Sequence, residues 1–165
     1  MGRIGDGVGA QKLADEIEQQ NPLNTKINMY WLPTARAAIE MSRNKPAKAI
    51  EILKVSSSYE LGMPGPQPEL GGTLYPVYLQ GLAYLELRQG NAAAAEFQKF
   101  LDHRGVAINN PLGALARLGL ARAHGLQGES TKAKAAYREF LTLWKDADAD
   151  IPVYQQAKAE YEKLK

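Results

Sequence analysis

The chain has 165 residues, 45% of them hydrophobic, enough for one domain with a real core and too many for disorder throughout. Its 20 lysines and arginines nearly balance 18 aspartates and glutamates, and no basic run is dense enough for a phosphate backbone, so nucleic acid is not an expected partner. The absence of cysteine removes disulfides, thiolate catalysis and Cys-bound zinc. Ala, Leu, Glu, Lys and Gln dominate while β-branched residues are scattered, which predicts an all-α protein. No stretch approaches about 18 consecutive apolar residues and the start lacks the order of a signal peptide, so direct membrane insertion is not expected and a cytoplasmic location is.

In chain order, Gly5-Asp6 reads as a turn, followed by a helix carrying Ala10 and Ala14 and ended at Pro22. Residues 25 to 43 form a helix whose register Pro33 interrupts, and Asn44-Lys45-Pro46 turns the chain into a second helix bearing Ala49 and Leu53. Met63-Pro64-Gly65-Pro66-Gln67-Pro68 and Gly71-Gly72 predict an irregular loop across 55–74. A helix through Gly81 then ends at Gln89-Gly90, with Gly90 in the left-handed conformation and Asn91 as N-cap of the next helix. Asn110-Pro111 starts another helix, with Asn as cap and Pro in the first helical position; Gly128 ends it and Ser130 caps its successor. Finally, 151–165 places Val153, Ala157, Tyr161 and Leu164 on one stripe opposite Lys and Glu, the pattern of a capping helix.

These elements repeat. Gly81-Leu82-Ala83 returns as Gly119-Leu120-Ala121, and Gln89-Gly90 as Gln127-Gly128, each shifted by 38 residues, from 81 to 119 and from 89 to 127. Phe97-Gln98-Lys99-Phe100-Leu101 returns as Tyr137-Arg138-Glu139-Phe140-Leu141, from 97 to 137, a shift of 40. Each unit reads as helix, Gly-containing turn, helix, and alanines at 10, 49, 93 and 133 mark the second helices.

The pattern resembles the tetratricopeptide repeat: Leu115, Leu118-Gly119, Ala133 and Tyr137 match one unit, with Arg122 where the repeat has Tyr. Gly81, Tyr84, Ala93 and Phe97 match another, with Gln80 in the Leu position, and Ala49 with Leu53 match the second helix of an earlier one. The resemblance implies one domain over 1–165: an α-α superhelix of about three helix pairs, an N-terminal half repeat cut from a longer array, and a C-terminal cap. Tyr30-Trp31-Leu32-Pro33-Thr34, Asp102-His103-Arg104-Gly105 and Leu143-Trp144-Lys145-Asp146-Ala147-Asp148 are also similar to the C-terminal repeat region of bacterial serine/threonine kinases and winged-helix regulators. A membrane-anchored kinase as parent implies an extracytoplasmic location instead.

The resemblance implies a protein-interaction scaffold that binds a partner protein or peptide in a concave groove, and it places Tyr75, Tyr78, Leu82, Arg117, Leu120 and His124 on the groove side of first helices. Ala38, Tyr78, Leu82 and Leu120 stand where chaperone-tail binders of this family carry carboxylate-clamping Asn and Lys or Arg, so an apolar or aromatic segment is expected, with Arg117 at its edge. The alternative is a ligand-sensing regulatory domain of a kinase or transcription regulator. Catalysis, a cofactor and a metal are not expected. Gly5-Asp6-Gly7-Val8-Gly9 lacks the Gly-Lys-Ser/Thr ending of a phosphate loop. Asp146, Asp148 and Asp150 start like a calcium loop, but Ile151 and Ala157 occupy its Gly and Glu positions, leaving Asp150 to cap the last helix. His103 and His124 lack helical metal partners, and His103 fits a helix C-terminus beside Arg104.

Overall fold

A computed structural model describes residues 6–62, 74–107 and 110–164. No strand occurs among them, and the chain is all-α: α1 (Gly7–Gln20), α2 (Leu32–Ser42), α3 (Pro46–Leu53), α4 (Tyr75–Glu86), α5 (Gly90–Asp102), the single turn α6 (Arg104–Ala107), α7 (Leu112–Leu126), α8 (Ser130–Leu143) and α9 (Pro152–Glu162). The expected loop at 55–74 begins instead as a 3-10 helix, Lys54–Tyr59, while its Pro/Gly cluster lies outside the described residues.

Three turns share one backbone solution. Asn44, Arg88 and Gly128 all have positive φ, and each stands five residues before one of the alanines at 49, 93 and 133. In each turn the following N–H reaches back five residues: Lys45 to the Glu40 carbonyl at 2.9 Å, Gln89 to Tyr84 at 2.9 Å, and Glu129 to His124 at 3.0 Å. That bond closes the first helix in the Schellman manner. The same residue then opens the second helix, its carbonyl accepting from Ala49, Ala93 or Ala133. Gly128 is left-handed as expected, but Gly90 is not: Arg88 takes that conformation, and the N-caps are Gln89 and Glu129 rather than Asn91 and Ser130. Gly90 is small for a different reason, since a Cβ there would lie 2.9 Å from Gln127 Cγ and 3.0 Å from the Ala123 carbonyl oxygen of α7.

Pro33 does not break its helix. A π-helical turn, Ile27–Trp31, leads into α2, and Leu32 N–H bonds the Ile27 carbonyl. The wider turn accommodates the proline, and Thr34 Oγ1 donates to the Tyr30 carbonyl at 2.6 Å inside the protein. At the other helix starts, Asp6 accepts from Gly9 N–H at 2.9 Å and Asn110 from Leu112 N–H at 2.9 Å. Asp150 does not cap α9; Ile151 holds the N-cap position with no side-chain bond. His103 closes α5 as expected, its Nδ1 lying 2.9 Å from the Lys99 carbonyl oxygen.

Helices α2 and α3, α4 and α5, and α7 and α8 pack as hairpins, and their short turns make each pair antiparallel. Every second helix also lies on the next first helix: α1 on α2, α3 on α4, α5 on α7 and α8 on α9. The first helices α2, α4 and α7 touch in a row, whereas the second helices make no comparable contact among the described residues. Phe97 is the central filler, fully buried between Gly81 and Gly119. A Cβ on Gly81 would meet its ring at 2.7 Å, and one on Gly119 would come closer still. The Phe97 ring therefore requires a glycine on each of the two first helices beside it.

Candidate binding surface

The residues expected to line a groove are divided by the fold. Tyr78 is a core residue, 5% exposed, its ring edge-on to Phe97 at 5.9 Å and Phe100 at 6.5 Å, so its expected role on an open surface is corrected. Leu82 and Leu120 are half-buried and pack against the clusters joining α2 through α7. Arg117 spends its guanidinium on the Gly113 carbonyl at 3.0 Å and Glu139 at 3.2 Å, and His124 Nδ1 lies 2.7 Å from Glu129 Oε2. Tyr75, half-buried at the start of α4, lines an open apolar surface.

That surface lies at the amino-terminal end. Ala10, Leu13, Ala14 and Ile17 form one stripe of α1 at the spacing of a helix face, and they line a cleft of about 570 Å³. Its far wall is Trp31, Leu32, Ala35 and Ile39 from the π turn and α2, with Tyr75 closing one end. Leu13 is 45% exposed and Ile17 42%. An ion-pair cluster holds α1 in place: Arg36 of α2 bonds Asp15 at 3.0 Å and Glu18 at 2.7 Å, and it holds both carboxyls below their ordinary pKa. Sequence reasoning missed Leu13, Ile17 and Trp31. The available signal was the spacing of Ala10, Leu13, Ala14 and Ile17 along one face of α1.

The carboxy-terminal end is finished differently. α9 buries Tyr154 and Ala157 against α8, with Tyr161 and Leu164 partly covered beside them, so Tyr154 joins the expected stripe. Glu160 is gripped by Arg122 at 2.9 and 3.1 Å and by the Tyr137 hydroxyl at 2.9 Å, tying α9 to α7 and α8. Burial and then the Glu160 carboxylate raise the Tyr137 pKa, keeping the phenol a donor. Arg122 fills the place where the repeat pattern has Tyr, and it supplies this clamp. Outward from α9 stand Gln155, Gln156, Lys158, Ala159, Glu162 and Lys163, with Lys158 Nζ 4.1 Å from the Tyr154 ring centre.

Between the ends, Glu60, in the strap after α3, is strongly buried, 5% exposed. It accepts from Gln80 Nε2 at 2.8 Å and Lys99 Nζ at 2.9 Å, and Lys99 also pairs with Glu96 at 2.8 Å. Burial pulls the Lys99 pKa down, but the bonds to Glu96 and Glu60 outweigh it and the net shift is upward. Burial, then Glu60, also raise the pKa of Tyr30. These groups fasten the 3-10 segment over α4 and α5.

Among the described residues no three His, Asp or Glu side chains gather as a metal site, and no helix is long and apolar enough to cross a membrane. The fold thus defines an all-α array of helix pairs with one end open and apolar. Comparison with protein-family descriptions, with curated proteins and with solved structures finds no match.

Proposed function

We propose that this chain is a tetratricopeptide-like scaffold that holds a partner protein, and that the partner seats in the cleft between α1 and α2. The observation that carries the reading is the composition of that cleft. Every residue lining it is apolar or aromatic, and two of its aliphatic side chains are nearly half exposed. A wall of Leu, Ile, Ala and Trp offers buried area to a partner and no nucleophile, base or charge clamp to a reacting group. The repeated turns and the row of first helices support the tetratricopeptide part of the reading. The expected apolar preference of the partner is retained, while its seat moves from the middle of the array to the amino-terminal end.

Selection of random peptides displayed on phage tests this. Binders dominated by apolar residues, lost on Leu13→Glu or Ile17→Glu but kept on Lys158→Glu, are the expected result. Binders indifferent to both cleft substitutions overturn the reading.

A further inference from the structure

The strap after α3 is turned inside out. Along Lys54–Tyr59 and the following Glu60, the buried side chains are Ser56 and Glu60, and both are polar. Val55, Tyr59 and Leu61 are exposed, so the apolar side chains face water while polar ones face the protein. Among the described residues, no strap side chain joins the apolar clusters that hold α2 to α3 and α4 to α5. A segment that buries no hydrocarbon gains little from the hydrophobic effect, and polar contacts must hold it down. Ser56 Oγ is not one of them: it is buried with no hydrogen-bond partner among the described residues, which penalises the closed position. Glu60 is the fastening, through Gln80 of α4 at 2.8 Å and Lys99 of α5 at 2.9 Å.

Lys99 has a second carboxylate within reach. Glu96, one turn back on α5, lies 2.8 Å from its Nζ. One ammonium is therefore shared between an acid on the strap and an acid on its own helix. When Glu60 leaves, Lys99 keeps Glu96, the repulsion between the two carboxylates is relieved, and Glu60 and Ser56 regain water. The helices keep their own cores, since Leu53 at the end of α3 is fully buried and fixes the near end of the strap. The strap is also wound as a 3-10 helix, whose hydrogen bonds are poorer than those of the α-helix it continues.

We propose that this strap is a latch. It is closed by Glu60 on Lys99 and Gln80, and it opens as a unit about the end of α3 while the helix pairs stay folded. Glu96 is the competing acid that takes over Lys99 in the open state. The two carboxylates therefore act in opposite directions: Glu60 closes the latch and Glu96 makes its opening easier.

The chain has no cysteine, so a single thiol can report the opening. Ser56→Cys puts one under the strap at almost unchanged volume. Its reaction with dithiobis(nitrobenzoate) is followed in native buffer, while amide exchange in α5 and α7 of the same protein reports the array. The thiol is expected to react at least about tenfold faster than global unfolding, measured by denaturant titration, allows. Adding Glu60→Gln should speed the reaction at least about tenfold and adding Glu96→Gln should slow it, with exchange in α5 and α7 unchanged by either. A thiol that reacts only as fast as the whole array unfolds overturns the latch. So does a rate indifferent to Glu60→Gln, and so does a Glu60→Gln variant in which α5 and α7 open along with the strap. Acceleration by Glu96→Gln overturns the competition, because it means that the two acids simply stabilise one closed state together.

Discussion

The two ends of this array solve one problem in opposite ways. A stacked helix pair gains stability from its neighbours, and the first and last described helices differ in the face each exposes. At the carboxy-terminal end α9 buries Tyr154 and Ala157 and turns Gln, Lys and Glu to solvent. At the amino-terminal end α1 buries Ala14 and leaves Leu13 and Ile17 nearly half exposed. One terminal helix therefore has a polar outer face and the other an exposed aliphatic one. The difference lies in the second face of each helix, not in the face that packs inward.

The substitution with the largest expected effect lies midway between the ends. Phe97→Ala removes a fully buried ring from between Gly81 and Gly119 and should cost about 3–5 kcal/mol in a denaturant titration. Ala14 holds the same repeat position in α1, and Ala14→Gly should cost only about 1 kcal/mol, mostly helix propensity. Similar costs at the two sites break the contrast between a filled seam and an open one. Next comes Gly119→Leu, which forces a side chain into the Phe97 ring and should cost about 1–3 kcal/mol. An unchanged melting temperature contradicts the assigned seam.

The carboxy-terminal clamp comes third. Glu160→Ala leaves the Arg122 guanidinium without its partner and the Tyr137 hydroxyl without its acceptor, at an expected cost of about 1–2 kcal/mol, tempered by a quarter exposure of both charged groups. Amide exchange should quicken in α9 and stay unchanged in α1; faster exchange at both ends denies that they are independent.

Acid acts on the amino-terminal attachment. Asp15 and Glu18 have folded pKa values below their ordinary 3.8 and 4.5, so the attachment they give α1 is complete above those values and is lost as pH falls through the lower, folded ones. Amide exchange of α1 should accelerate below about pH 4. Lys99 works in the other direction: its raised pKa makes the strap's contribution complete below the ordinary 10.5 and lost as pH climbs through the higher folded value. The smallest effect on stability belongs to Leu13→Glu, within about 0.5 kcal/mol because the side chain is already half in water. A large loss there means that α1 packs more completely than the open-end account allows.

The sequence disclosed the all-α class, the spacing of the buried alanines and the crowding at Gly81 and Gly119, because each is periodic or demanded by a tight contact. It concealed features that depend on how elements meet. Pro33 looks like a break along the chain, and only a π turn with the Thr34 hydroxyl on Tyr30 makes it compatible with a continuing helix. Tyr78 resembles a groove residue because α4 is apolar on nearly every side: Pro76, Val77, Tyr78 and Leu79 are all buried, and periodicity cannot assign a face to such a helix. Tyr154 on α9 was legible, since it shares a helix face with Ala157 and Tyr161. Arg117 and His124 have groove-like positions in the pattern, but Glu139 and Glu129 engage them. Leu13 and Ile17 carried a readable stripe, yet their exposure depends on how α1 meets α2.

Carbene footprinting of the chain, free and saturated with a selected apolar peptide, tests the contrast between the ends most directly. The account predicts heavy labelling at Leu13, Ile17 and Ala35 in the free chain, loss of that labelling on binding, and low labelling across α9 in both states. Equal labelling of α1 and α9 in the free chain, or peptide protection that falls away from α1 and α2, contradicts it.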